Sequence, residues 1–163
     1  MDVRQRRVRC EIGDTFSLQV PGTDRVLGTR PGGVGRLYEP RGTADARVQL
    51  PLHTQHLSAH PTSAGFVALI CDDDEGVEIA VLSQEGAILS RLPIPDASPE
   101  RVSQLATSSE SGLVFACVFT GTNEHDDREL LAWRTRGTAL DPLWAIPVSR
   151  HTTVISDSRA SRV

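Results

Sequence analysis

Apolar residues in this chain come in runs of strand length, separated by clusters of Gly, Pro, Asp and Ser. Phe66-Val67-Ala68-Leu69-Ile70-Cys71 and Leu113-Val114-Phe115-Ala116-Cys117-Val118-Phe119 are continuous apolar stretches, a pattern that predicts fully buried central strands. Gly65 and Gly112 precede them, each closing a polar, Ser-rich turn. Upstream, His56-Leu57-Ser58-Ala59-His60 and Gln104-Leu105-Ala106-Thr107-Ser108 are short and rich in small residues, as the crowded inner strand of a radial sheet requires. No segment longer than about ten residues keeps i, i+3, i+4, i+7 apolar spacing without a Gly or Pro, so little helix is expected. The prediction is an all-β chain.

Two spaced anchors organise these strands into repeats. In the first, an apolar residue stands four positions before a glycine: Tyr38 before Gly42, Leu82 before Gly86 and Trp133 before Gly137, at intervals of 44 and 51 residues. The second is an apolar residue, any residue, Leu or Ile, then Pro: Val48-Gln49-Leu50-Pro51, Leu92-Pro93-Ile94-Pro95 and Trp144-Ala145-Ile146-Pro147, at intervals of 44 and 52. Each repeat yields four strands in meander order. The expected units are residues 11–52, 53–95 and 99–148, with 152–158 as the first strand of a fourth, inside a repeat domain spanning 11–158. Residues 1–10 form a basic N-terminal segment and 159–163 a tail.

The phrase Leu105 to Ala116 resembles the inner strand, turn and second strand of WD40-type repeats, and Leu131-Ala132-Trp133-Arg134 resembles their third strand. The likeness covers most of residues 53–148. It implies a partial β-propeller of about three blades, or one completed by oligomerisation, because propellers close with roughly four to eight blades. Glu39, Ser83 and Arg134 stand where the family has the Asp of its Trp-Asp pair, and the Gly-His dipeptide is missing. The resemblance therefore implies a divergent propeller without the family's internal hydrogen-bond network. A β-sandwich, which also spaces its strands regularly, is the alternative architecture.

Composition narrows the function classes. At 163 residues, with 39% hydrophobic and 23% charged content, the chain is long enough for one core and too apolar for wholesale disorder. No apolar run approaches the roughly 18 residues that span a bilayer, and no signal-peptide segment follows the N-terminal arginines, so a cytoplasmic location is expected. Three widely spaced cysteines, Cys10, Cys71 and Cys117, suit reduced packing thiols better than a disulfide framework or a zinc site. All seventeen basic residues are arginine, which points to a GC-rich coding sequence and a bacterial source. Residues 1–50 hold nine of those arginines and six of the twenty-one acids, so charge is segregated along the chain. The formal net charge of −4 argues against nucleic acid as the main ligand.

Candidate chemistry is sparse. Asp72-Asp73-Asp74-Glu75-Gly76 does not match an EF-hand loop, since the sixth and twelfth positions hold Val77 and Ser83. It predicts an acidic hairpin turn between the second and third strands of a blade. The equivalent turn, Asn123-Glu124-His125-Asp126-Asp127, is also acidic, and the two would form one rim able to steer a basic partner. His53, His56 and His60 fall close together, but on a strand only His56 and His60 share a face, and no Cys or acid completes a metal set. Neither a Gly-x-Ser-x-Gly elbow nor a Cys-His signature is present. Arg30-Pro31-Gly32-Gly33-Val34-Gly35-Arg36 lacks the Lys-Ser/Thr of a phosphate loop and reads as a hairpin turn.

The expected function is a noncatalytic protein-interaction module, a scaffold or regulatory subunit, with no cofactor and no metal. Its expected partner is another protein or a second copy of itself, not a membrane and not nucleic acid. The candidate contact residues are Asp72, Asp73, Asp74, Glu75, Glu124, Asp126 and Asp127 of the rim, with Arg4, Arg6 and Arg7 as an N-terminal tether or charge-protected edge strand. Two alternatives stand beside this: an inhibitor or activator of a co-produced enzyme such as a protease or a transcription factor, and a ligand-binding or hydrolytic domain using the loops around His53, His56 and Asp72.

Overall fold

The computed structural model describes residues 16–19, 26–30, 34–38, 44–63, 65–99, 104–120 and 127–148, with the backbone path alone for those before 49. Among the described residues twelve strands run in chain order: β1 (Phe16–Gln19), β2 (Val26–Arg30), β3 (Val34–Tyr38), β4 (Ala44–Gln49), β5 (Thr54–Ala59), β6 (Phe66–Asp72), β7 (Gly76–Leu82), β8 (Ile88–Pro93), β9 (Gln104–Ser108), β10 (Leu113–Thr120), β11 (Asp127–Arg136) and β12 (Ala139–Val148). They form three antiparallel four-stranded meanders, β1–β4, β5–β8 and β9–β12. The fold is all-β: the described residues contain no helix, hence none long and apolar enough to cross a membrane. Among them no sheet closes into a barrel and the three sheets do not close into a ring.

Turn chemistry explains the hairpins. The β6–β7 turn ends on Gly76 at φ 89°, and the Asp72 carboxylate accepts hydrogen bonds from the Asp74 and Glu75 amides at 2.9 and 3.2 Å. In the β7–β8 turn the Ser83 hydroxyl accepts from the Glu85 and Ala87 amides and donates to the Glu85 carboxylate, while Gly86 takes φ 86°. A two-residue connection, Gly137-Thr138, joins β11 to β12 with Gly137 at φ 58°.

The second sheet is the middle layer, and its strands use the period-2 alternation to bury both faces. Phe66, Ala68, Ile70, Ala80 and Leu82 pack with Leu50 on the side of the first sheet. Val67, Leu69, Val77 and Ile79 pack against Val114, Ala116, Val118 and Trp133 of the third. The first strands of the sheets are neighbours: β1 lies beside β5 and β5 beside β9, where the Ser58 and Thr107 hydroxyls meet at 2.8 Å. At the far side, the Ser90 hydroxyl donates to the Thr138 carbonyl, tying β8 to the β11–β12 turn.

The sheets repeat one another in detail. In each sheet the ladder between the third and fourth strands slips once, just before the anchor residue: between Leu37 and Tyr38, Val81 and Leu82, and Ala132 and Trp133; in the second sheet the β5–β6 ladder also slips, between Thr54 and His56. Among the described residues of the two connections between sheets, 50–53 and 94–99, Leu50 and Ile94 are buried and the non-glycine residues at positive φ are His53 and Asp96. Each connection then bonds to the end of the second strand it passes: Cys71 N donates to His53 O at 3.0 Å, and Ser98 N to Phe119 O at 2.8 Å.

The second sequence anchor needs correcting in its third copy. Val48 and Leu92 pair with Gly35 and Ile79, three positions before Tyr38 and Leu82. Trp144 pairs instead with Ala132, one position before Trp133, and Ile146 holds the equivalent place opposite Leu130. A two-residue slip preserves which side chains face which way, so the alternation of the sequence could not reveal it.

Candidate functional site

The acidic turn is a well-formed hairpin rather than an open ligand loop. Hydrogen bonds from the Asp74 and Glu75 amides, with a smaller contribution from the His53 imidazole, hold the Asp72 carboxyl below the usual carboxylate range. His53 Nε2 lies 3.5 Å from Asp72 Oδ2. Asp73, Asp74 and Glu75 are exposed at the tip, and Asp127 is exposed at the start of β11. Glu124, Asp126, Arg4, Arg6 and Arg7 lie outside the described residues, so the full rim and the N-terminal tether do too. A cleft of about 300 Å³ of mixed character opens beside the turn, lined by His53, Asp72, Glu78 and Arg91 together with Leu52 and Ile70. Glu78 and Arg91 face each other across it at 3.4 Å.

The three histidines do not assemble. β5 ends at Ala59, and His60, one residue beyond it and directly before Pro61, is buried, only 1% exposed. Its Nδ1 accepts hydrogen bonds from the Thr62 and Ser63 amides at 3.2 and 3.1 Å, which places the proton of the neutral ring on Nε2. That nitrogen is buried without a hydrogen bond of standard geometry, and the nearby Gly137 carbonyl only partly offsets the downward pKa shift that burial imposes. His56 Nε2 is likewise buried and unpartnered, and burial lowers its pKa. Among the described residues no three His, Cys, Asp or Glu side chains gather closely enough to hold a metal ion.

Because both folded-state pKa values lie below the ordinary histidine value of about 6.5, the unfolded chain takes up protons first on acidification. This contribution to stability is complete above pH 6.5 and is lost as pH falls below it towards the lowered values. Urea midpoints measured from pH 7 to pH 5 should therefore decrease. His60→Asn, whose Oδ1 can still accept from Thr62 and Ser63, should flatten that decrease; an unchanged slope would remove His60 from the effect.

Cys71 and Cys117 are buried free thiols. Burial pushes the Cys71 thiol up to about 11 and raises Cys117 as well, with Arg128 pulling the latter back in part. Iodoacetamide at pH 8, mapped by peptide mass, should leave both unmodified in the native chain and label both in denaturant. Native labelling at either position would show that its sheet opens.

The least expected feature is the outer face of the third sheet. The apolar run of β10 predicts burial on both faces, yet only Val114, Ala116, Cys117 and Val118 are fully covered, while Leu113, Phe115 and Phe119 are half-buried. Phe115 lies 6.1 Å from Trp144, centroid to centroid, and Leu130 and Ile146 continue the surface on β11 and β12. Trp144 is 42% and Ile146 46% exposed. The Arg128 guanidinium caps one end, 4.4 Å above the Phe119 ring, with its Nε buried and unpartnered. Around the outer edge, Leu92, Ile94, Trp133, Leu143 and Trp144 line an apolar groove of about 370 Å³ between β8 and β12. The available signal was the set of large apolar residues on one face of β11 and β12, Leu130, Trp144 and Ile146.

No protein-family model matches the chain, and no curated protein matches it.

Proposed function

We propose that this chain is a noncatalytic protein-binding module, built as an open set of propeller-type blades and making contact through the outer face of its third sheet. The observation that carries the reading is the apolar surface made by exposed Trp144 and Ile146 with half-buried Phe115 and Leu130, since contiguous apolar surface of this kind marks interaction sites on soluble proteins. Support for the blade arrangement comes from the adjacent first strands β1, β5 and β9 and from the bulge recurring at Tyr38, Leu82 and Trp133. The exposed acids Asp73, Asp74 and Glu75 act by steering a basic partner's approach.

Affinity purification of the tagged chain from its native cells tests this. A protein should be recovered in stoichiometric amount, whether a different polypeptide or untagged copies of the chain. The Trp144→Arg, Ile146→Asp double variant should lose it. Identical recoveries from wild type and variant would overturn the reading.

A further inference from the structure

We propose that residues 151–156 of this chain dock as a strand beside β9, with Ile155 seated on the outer face of the third sheet over Phe115 and Cys117. These six residues lie outside the described ones. The seat is independent of the protein-binding reading and leaves Leu130, Trp144 and Ile146 open to a partner.

The register of the fourth strands points to this segment. Val48 and Ile146 hold equivalent places, each opposite the residue three positions before its anchor, Tyr38 or Trp133. Counted on from there without a gap, Leu50 corresponds to Val148, and His53-Thr54-Gln55-His56-Leu57-Ser58 to His151-Thr152-Thr153-Val154-Ile155-Ser156. The His, the Thr and the Ser recur at the same places, and Ile stands for Leu. After β4 this phrase is the end of the connection, with His53 at positive φ, followed by β5. The match is hidden in the sequence alone, because the third copy of the sequence anchor, ending on Pro147, is two residues out of step with the ladder.

Equivalence also selects the face. Leu57 and Leu105 hold the same place on β5 and β9, opposite Ala68 and Ala116, and each packs onto the sheet before its own. Leu105 shares its cluster with Val67 and Leu69 of β6, whose equivalents on β10 are Phe115 and Cys117. Ile155, the equivalent of Leu57, therefore meets the outer face of the third sheet at Phe115 and Cys117. The chain reaches: Ile155 follows Val148 by seven residues, as Leu57 follows Leu50, and that earlier connection already crosses a four-stranded sheet to bring β5 beside β1. Seven extended residues span about 23 Å, against about 14 Å from the first to the fourth strand of such a sheet.

Burial on this face has the matching distribution. Ala106, Cys117 and Ala132 point outward from β9, β10 and β11 and belong to neither cluster that joins the sheets, yet all three are buried. Trp144 and Ile146 of β12 are exposed. A cover lying along the β9 side accounts for both.

Hydrogen exchange on the wild-type full chain, read by peptide mass, is the first test. Amides of residues 152–156 should exchange at least about tenfold more slowly than in an unstructured chain. Exchange at the unstructured rate would overturn the proposal. Cys117 reports the seat: Ile155→Asp should speed its labelling by iodoacetamide at pH 8 at least about tenfold, while Cys71, buried between the second and third sheets, stays protected. Val154→Asp should leave Cys117 protected, because alternation turns residue 154 to the other side. Equal protection of Cys117 in wild type and Ile155→Asp overturns the seat, and exposure by Val154→Asp alone overturns the register. Should Ile155→Asp open the whole chain, seen as labelling of Cys71, Ile155→Ser takes its place under the same two criteria. Recovery of a partner through Trp144 is measured separately, so this proposal and the binding reading can fail independently.

Discussion

Replacing Trp133 with alanine should cost about 3–5 kcal/mol, the usual range for removing a buried aromatic side chain. Trp133 is 4% exposed and packs in the cluster that joins the second and third sheets, with Val67, Leu69, Val114 and Val118 around the same core. It also follows directly on the bulge in the β11–β12 ladder, so the cavity would open where the backbone register already slips. For a chain of this length the loss should lower Tm by at least about 6 °C, and against a total stability of about 5–15 kcal/mol it could leave a large unfolded fraction. Trp144→Ala provides the control on the same sheet. Its side chain is 42% exposed on the opposite face, and the expected cost is under about 1 kcal/mol. Urea titrations of the two variants would check this, and equal losses would contradict the assignment of the two faces.

Gly65→Ala should destabilise the fold for a different reason. A Cβ at residue 65 would sit 2.2 Å from the Leu82 carbonyl oxygen, and the obstacle is backbone, which no rotamer change can move aside. Gly65 also accepts a hydrogen bond from the His60 amide at 2.9 Å, so displacing it disturbs the turn that buries His60. The expected cost is about 1–3 kcal/mol or more, as for other overpacked interiors. Gly76→Ala meets no atom within 4 Å and should cost only about 1 kcal/mol, from its positive φ. If the two alanine variants melted together, the close approach of Gly65 to Leu82 would not persist in solution.

Much of the fold was legible because its signals are local. The runs at 66–71 and 113–119 became β6 and β10, the small-residue stretch 104–108 became β9, and the acidic stretch 72–76 became the predicted hairpin. Apolar runs bounded by turn residues, and glycines where φ must be positive, need no knowledge of distant parts of the chain. Less of the candidate site was legible. The proposed acidic contacts included Asp72, whose carboxylate is engaged with its own turn, and nothing in the sequence pattern showed that His60, one residue past the end of β5, would be buried. The open face around Phe115 was missed because the β10 run was read as fully buried, and a run apolar on both sides does not say which side a neighbour covers.

The sequence by itself thus determined strand positions, hairpin turns and a repeating meander, all set by side-chain period and turn stereochemistry within a few residues. Tertiary structure alone decided three further things. It made the second sheet the covered middle layer, placed Ile146 rather than Trp144 opposite Leu130, and left the third sheet with one apolar face open. The physical reason is the same for each. Alternation with period two fixes which side chains share a face, but coverage of that face depends on a sheet some fifty residues away, and a slip by two residues leaves the alternation unchanged.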